Sequence, residues 1–191
     1  DAGIAVGQHT NVCLGKPCAD PALIPSMLNE NDEFHSSRTF RDHFKRGEEL
    51  IDFDEACIEI RAQHDRFVEI VGREPDYFEA HAVMSKNLNR AISAVAQELG
   101  LKEQKASFDP AAVVHCGDTD LRMVMRSMEP GYEPKEAIMQ TVRGMVDGET
   151  VVFVCHPGYL DRFILENSSL TTDRTKEVDA LIDPELRAWL E

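Results

Sequence analysis

The hydrophobic segment at residues 150–155 constrains the fold of this chain more than any other feature. Its four central residues are Val, Val, Phe and Val, with no polar residue among them. A continuous apolar strand is typical of a parallel sheet whose two faces are covered by helices. The segment therefore predicts a strand that is buried on both faces in an α/β protein.

The rest of the chain supports this class. Two further strands are predicted at residues 3–7 and 76–84. Apolar stripes at helical spacing, with recognisable end signals, predict helices at residues 54–71, 86–99, 134–146, about 173–181 and 184–190. Asp54 is the expected N-cap of the first of these helices. Strands that alternate with helices predict parallel pairing in a single α/β domain over residues 1–191, although residues 107–130 show too little periodicity for any assignment.

Composition excludes several classes of partner. The 191-residue chain has 20 Lys and Arg against 35 Asp and Glu, a net charge of −15. Nucleic acid and anionic membrane surfaces are disfavoured, because both require a cationic face, and no apolar run reaches the roughly 20 residues of a membrane span. Five cysteines without a CxxC pair predict reduced thiols in a cytoplasmic protein. The chain also lacks the GxGxxG, P-loop and GxSxG motifs of dinucleotide, nucleotide and serine-esterase sites.

Three of the seven histidines lie at or after the ends of predicted strands, namely His9, His81 and His156. Ligands and catalytic groups of parallel α/β proteins gather at the C-terminal ends of strands. Imidazole is both a common metal ligand and a proton carrier near neutral pH. We therefore expect His9 and His81 to approach each other at one end of the sheet. We expect His35, His43 and His64 in ordinary surface roles.

Other candidates surround these histidines. Glu79 would project from the same strand face as His81, as a metal ligand, a general base or a group that orients a ligand; a carboxylate bonded within the sheet is the structural alternative. Asp161 is a candidate partner of the His156 ring, with a helix N-terminal role as its alternative. Cys155 adjoins His156 in the strand and would point away from it, which disfavours a Cys–His nucleophile.

Three segments resemble the YdjC-like family, which includes carbohydrate deacetylases. The matching segments are residues 6–11 with 14–17, 25–26 and 29–31, then residues 73–81, and then residues 155–161, which read CHPGYLD, with Ser168, Ser169, Leu170, Arg174, Glu177 and Leu181. The order and spacing of these segments agree with the family's motifs. The resemblance covers nearly the whole chain.

The resemblance implies an irregular, TIM-like (β/α) barrel that hydrolyses an acetamide on a small carbohydrate, an amino sugar, with a divalent metal ion such as Mg²⁺ or Zn²⁺. By the same resemblance His9 and His81 are metal ligands and His156 is a catalytic residue, the expected proton donor; capping of the strand end is the structural alternative for His156. Asn11, Tyr159 and Asp161 are expected to bind substrate.

One departure from the family is serious. The family's opening strand ends in adjacent aspartates, and no Asp-Asp pair occurs in this chain. We therefore expect a barrel that is incomplete at its N-terminal edge, open to self-association into a homo-oligomer, and a chain that is poorly active or inactive alone. The working carboxylate would have to be Glu79 or come from outside the chain. The alternatives are a non-catalytic sugar-binding or regulatory domain and a metal-dependent hydrolase of another amide.

Overall fold

The computed structural model describes residues 3–105, 107, 109, 112–116 and 118–191. The chain divides into two compact units, Asp1–Ala106 and Ser107–Glu191. Each unit contains a three-stranded sheet with helices. A single domain over the whole chain stays a prediction.

The first unit is a parallel α/β arrangement. Its elements in chain order are β1 (Gln8–Thr10), α1 (Ser37–Lys45), α2 (Phe53–Val71), β2 (Tyr77–Ala80), α3 (Lys86–Leu99) and β3 (Lys102–Glu103), with short 3₁₀ turns at Pro21–Leu23 and Pro25–Met27. The strands pair in the order β1–β2–β3, and both pairings are parallel. Helices connect successive strands, as parallel pairing requires.

The core of this unit lies where α2 and α3 pack on the sheet. Phe78 of β2, Ile60 of α2 and Leu88 of α3 are fully buried within one hydrophobic cluster. The 3₁₀ turns add Ile24 and Met27 to the same cluster. Apolar residues from strand, helices and the long β1–α1 connection thus fix β1 and β2 against one core.

The N-cap of α2 lies two residues before the one predicted from the sequence. Asp52, not Asp54, is the N-cap: its Oδ1 accepts hydrogen bonds from the backbone amides of Asp54 (2.9 Å) and Glu55 (3.1 Å). Both aspartates satisfy the compositional preference for an N-cap, so composition alone does not separate them. The predicted helix end is confirmed, because Gly72 follows Val71 with φ of 77°, a left-handed conformation that glycine tolerates without strain.

His64 is also placed differently from expectation. It lies on α2 with only 8% of its surface exposed, instead of on an exposed helix face. Its Nε2 is 2.5 Å from Oε2 of Glu74, and its ring lies 6.0 Å from that of Phe78. A carboxylate partner satisfies the polar edge of the ring, which allows this helix position to face inward.

Both predicted strands of this unit need correction: the first is displaced and the second is shorter than expected. Residues 3–7 do not form a strand, and β1 begins only at Gln8. The reason is its partner: β2 begins at Tyr77, and the residue before it, Asp76, bonds to Val6 through its amide and its carboxylate. At the other end β2 stops at Ala80 because Ala82 has a positive φ of 48°, which ends the extended conformation.

The second unit has a mixed sheet. Its elements are β4 (Val113–Cys116), β5 (Thr119–Met125), α4 (Pro134–Arg143), β6 (Val151–Val154), α5 (Arg162–Asn167), α6 (Thr172–Leu181) and α7 (Pro184–Leu190). Strand β4 pairs antiparallel with β5, and β5 pairs parallel with β6. Strands β4 and β5 lie within residues 107–130, the range for which the sequence allowed no assignment.

Two predictions for this unit need correction. Strand β6 is half-buried at all four residues, not buried on both faces. It is the last strand of its sheet, and its buried cluster is small, with Phe153 packed against Ile138, Ala180 and Leu186. Helix α4 ends at Arg143 instead of residue 146, because Gly144 follows directly and acts as its C-cap.

The parallel α/β class predicted from the sequence is confirmed by the β1–β2–β3 sheet and its helices. A closed barrel is not found among the described strands, which form two separate three-stranded sheets. Within the part of the chain that the structure describes, no helix is both long and apolar enough to cross a membrane.

Candidate functional site

Strand β1 turns His9 away from the core. Its neighbours Gln8 and Thr10 are buried, at 3% and 0% exposure, while His9 between them is exposed. Gln8 Nε2 donates within the core to Thr10 Oγ1 (3.3 Å) and to the carbonyl of Ile60 (3.4 Å). Because side chains alternate along a strand, the two inward anchors fix His9 on the opposite face.

The parallel register places Glu79 beside His9. The two residues are direct partners in the β1–β2 ladder, and His9 Nδ1 lies 2.8 Å from Glu79 Oε1. His81, two residues after Glu79, lies on the other edge of the same ring: His9 Nε2 is 2.7 Å from His81 Nδ1. The predicted approach of His9 and His81 is therefore confirmed, and Glu79 projects with His81 as expected.

A tight turn sets the position of His81. Its backbone amide donates to the carbonyl of Thr10 (2.9 Å), which extends the β1–β2 pairing by one bond beyond the strand. The next residue, Ala82, has φ of 48°, and the amide of Val83 bonds back to the carbonyl of His81 (2.6 Å). A positive φ at a residue other than glycine is uncommon and is found often at functional sites. No sequence signal marked this turn.

The His9–His81 pair fits part of a metal site. Two nitrogen ligands of one Zn²⁺ lie at about 2.0–2.1 Å from the ion, which puts them roughly 3 Å apart. The two facing nitrogens have nearly this separation, and Glu79 binds the outer nitrogen of His9, the usual place for a carboxylate that orients a metal-bound imidazole. Among the residues described, however, no group of three or more His, Cys, Asp or Glu side chains is arranged to hold a metal ion. The described residues therefore supply two ligands and an orienting carboxylate, but not a third ligand.

A shallow cleft of about 280 Å³ adjoins His9 in the first unit. Its lining includes Asn11, Lys16, Phe34 and Gln63. The side chain of Asn11 is already engaged locally, since its Oδ1 accepts from the amide of Cys13 (3.0 Å) and its Nδ2 donates to the carbonyl of Leu14 (2.8 Å). Asn11 therefore shapes the loop after β1, and its role in substrate binding stays a prediction.

A polar stripe on α2 supports this cleft and was not recognised in the sequence. The carboxylate of Glu59 is fully buried and accepts from the amides of Cys18 (3.0 Å) and Ala19 (2.9 Å). One helical turn later, Gln63 bonds to both the amide (3.1 Å) and the carbonyl (2.6 Å) of Asn11. The spacing of four residues between Glu59 and Gln63 was a readable signal, but their loop partners lie about 40 and 52 positions away in sequence.

The second unit holds His156 in the turn after β6. Its ring nitrogen Nδ1 lies 3.3 Å from Oγ of Ser127, which is buried. Its backbone is bound by α6 on both sides, since the amide donates to Glu177 (2.5 Å) and the carbonyl accepts from Arg174 (3.3 Å). His156 is half-buried, and its position at the rim of a pocket stays a prediction.

The other predicted residues of this turn take distinct places. Asp161 is the N-cap of α5, and its Oδ1 accepts from the amide of Ile164 (2.8 Å), so the helix N-terminal alternative is confirmed. The side chain of Tyr159 is strongly exposed, at 79%. Burial, and then the charge of Glu177, raise the pKa of the Cys155 thiol to about 11. Cys155 is therefore a neutral thiol at neutral pH, which agrees with its exclusion as a nucleophile.

Fold and site together define an α/β protein with a carboxylate-supported histidine pair at the C-terminal ends of parallel strands. The chain belongs to the YdjC-like protein family, whose model matches residues 1–191. The family resemblance read from the sequence is thereby confirmed.

Individual relatives agree with this membership. The chain is 27% identical over 190 residues to carbohydrate deacetylase 2 of Listeria innocua, covering 98% of the chain and 72% of that protein. It is 28% identical over 199 residues to chitooligosaccharide deacetylase of Serratia marcescens, with 97% and 73% covered. A crystal structure from Enterococcus faecalis V583, of a proposed cellobiose-phosphate cleavage protein, matches with a TM-score of 0.77 at 22% identity, over 97% of this chain and 72% of that one. The last match shows the shared fold.

Proposed function

We propose that the protein is a metal-dependent hydrolase that removes acetyl groups from N-acetylated amino sugars. The observation that carries the proposal is the hydrogen-bonded series Glu79–His9–His81 at the strand ends. The names of the relatives, carbohydrate deacetylase and chitooligosaccharide deacetylase, supply the substrate class. A net charge of −15 is compatible with a neutral sugar.

In this proposal His9 and His81 would hold one divalent ion, with their facing nitrogens Nε2 and Nδ1 as the donor atoms. When bound, such an ion would supply polarisation of the acetamide carbonyl and activation of water. Glu79 accepts the Nδ1 proton of His9 and thereby leaves Nε2 as a lone pair that faces His81. Without an ion, that lone pair accepts the Nδ1 proton of His81, so ion binding requires His81 to release this proton or to carry it on Nε2.

The reaction consumes one water: a bond forms between the water oxygen and the acetamide carbonyl carbon, the C–N bond breaks, and the products are acetate and a free amine. The departing amine requires a proton. We assign that transfer to His156 because it is the histidine of the HPGYLD segment by which this chain resembles the family. Glu79 could act as a metal ligand, as a general base or as a group that orients His9. Its contact supports the orienting role, because Glu79 Oε1 bonds to His9 Nδ1, the ring nitrogen that faces away from His81. Asn11 and Tyr159 are proposed to contact the sugar.

Acetate release tests the proposal. The folded chain is incubated with an N-acetylated chito-oligosaccharide and Mg²⁺ or Zn²⁺, and acetate and free amine are quantified together. We expect slow release of the two products in equal amounts, reduced at least about 100-fold by His81→Ala, while His115→Ala, an exposed histidine of the second unit, serves as the matched control. Release that is equal in wild type and His81→Ala would contradict the assignment.

The small number of metal ligands favours a second candidate function. Because the described residues offer two metal ligands instead of three, a non-catalytic sugar-binding domain on the same fold is the alternative. It predicts binding of the chito-oligosaccharide by calorimetry with no acetate release at any metal concentration. The same samples therefore distinguish the two functions.

A further inference from the structure

Glu177 is a fully buried carboxylate in the second unit. It lies on α6 with 0% of its surface exposed. Its Oε1 accepts from the hydroxyl of Tyr132 (3.0 Å), and its Oε2 accepts from the backbone amide of His156 (2.5 Å). Among the ion pairs between described residues, none includes Glu177. Burial of a carboxylate that has two hydrogen bonds but no cationic side chain bound to it lowers the stability of the fold. A functional role for the carboxylate would explain why it is there.

The same helix binds the rest of the His156 turn. Arg174 donates to the carbonyl of His156 (3.3 Å) and accepts, through its own carbonyl, from the amide of Gly158 (3.3 Å). Ser127 contacts the ring at Nδ1 (3.3 Å). The backbone of His156 is therefore fixed at its N–H by Glu177 and at its C=O by Arg174. Its ring contacts Ser127, which lies two residues after the end of β5.

We propose that Glu177 is a positioning residue for His156: its carboxylate fixes the backbone of the turn and supplies a negative charge that favours the protonated imidazole. The inference rests on the proposed function, in which His156 gives a proton to the departing amine. In a poorly hydrated site a carboxylate favours a cation nearby, because the two charges attract more strongly than they do in water.

Two ionisable neighbours of Glu177 are uncharged at neutral pH. Burial, then the hydrogen bond to Glu177, raise the pKa of Tyr132 well above its usual value, and the pKa of Cys155 is raised to about 11, so both are neutral at pH 7. Charged side chains of the same unit that bind this turn, Glu177's partner Tyr132 or their neighbours include Arg126, Glu133, Asp161, Arg174 and Lys176. Glu133 pairs with Lys176 at the surface, and Asp161 caps α5. The two arginines act against Glu177, so the test must isolate its charge.

Titration of the His156 ring by NMR measures that charge. Glu177→Gln keeps the shape and can still accept from the His156 amide while donating to Tyr132. We expect the imidazole pKa of His156 to fall by about one unit in Glu177→Gln, with no change in Glu133→Gln, an exposed carboxylate of the same unit. An imidazole pKa that stays the same in Glu177→Gln would overturn the proposal.

A second variant covers the case in which Glu177→Gln does not fold. Tyr132→Phe keeps the charge of Glu177 and removes one of its hydrogen bonds, so the His156 pKa should stay the same or rise; a fall would overturn the proposal. These titrations need no substrate, so their failure is distinguishable from failure of the deacetylase assignment. Where turnover is measurable, Glu177→Gln should also shift the high-pH limb of kcat to lower pH by the same amount, which a purely structural role would not do.

Discussion

The Nε2 atom of His9 lies 2.7 Å from the Nδ1 atom of His81, although 72 positions separate the two residues in sequence. The contact is a product of parallel pairing between β1 and β2, whose register puts His9 directly beside Glu79. Its geometry therefore depends on whatever fixes that register. Two features beside the strands bear on that register, the glycine before β1 and the aspartate before β2, and the Glu79 carboxylate bonds to the His9 ring itself.

Substitution of Glu79 by Gln should weaken metal binding without unfolding the protein. A carboxylate that accepts from a ligating imidazole orients the ring and increases its basicity, and its loss typically lowers metal affinity about 10–100-fold. Glu79 is partly exposed, so little folding stability depends on it. Calorimetric titration with Zn²⁺ measures the effect. Glu69→Gln, an exposed α2 carboxylate paired with Arg66, is the control, and unchanged affinity in Glu79→Gln would remove the orienting role.

Substitution of Gly7 by Ala should disturb the β1–β2 register. A Cβ atom at Gly7 would lie 2.4 Å from two ring carbons of Tyr77, far inside contact distance. Because the ring belongs to the neighbouring strand, we expect a loss of about 1–3 kcal/mol in the free energy of unfolding, measured by urea denaturation.

The matched control for Gly7 is a double-mutant cycle with Tyr77→Ala. If the clash causes the loss, Gly7→Ala costs much less in the Tyr77→Ala background than in the wild type. Equal costs in the two backgrounds would show that the effect arises from backbone conformation and not from the ring.

The parts of the fold that were predicted correctly are those with local signals. Helix α3 was predicted with its observed bounds, because Ser85 caps its first turn through the amide of Leu88 and Gly100 ends it. Strand β1 was misplaced, since an edge strand of three residues is defined by its partner and not by its own composition. Strands β4 and β5 were missed because few of their residues are buried, which leaves no clear alternation.

The contacts of the candidate site were also predicted only where the signal is local. The approach of His9 and His81 and the shared face of Glu79 and His81 were predicted, because positions near strand ends and alternate positions along a strand can be read from the sequence. The contact of Ser127 with His156 and the hydrogen bond from Tyr132 to Glu177 were not predicted, because they join residues 29 and 45 positions apart. The family motif that contains Glu177 gives no indication that its carboxylate is buried.

Asp76 should make the start of β1 sensitive to acid. Its carboxylate accepts from the amide of Val6 (2.7 Å) and from Arg73 (3.1 Å), and these bonds lower its pKa from 3.8, the backbone bond being the larger cause. A folded pKa below the unfolded one means that the contribution to stability is complete above about pH 4 and is lost as pH falls through the folded value.

The amide resonance of Val6 reports this directly. We expect its chemical shift to titrate below about pH 4 in the wild type and to be independent of pH in that range in Asp76→Asn. A Val6 amide that titrates identically in both proteins would show that another group is responsible.

Zn²⁺ titration followed by the ¹⁵N shifts of the histidine rings tests whether His9 and His81 bind one divalent ion together. We expect binding of one ion per chain at this site, with the largest changes at His9 Nε2 and His81 Nδ1 and loss of these changes in His81→Ala. Zn²⁺ that leaves both nitrogens unperturbed, or that binds with the same affinity in His81→Ala, would contradict it.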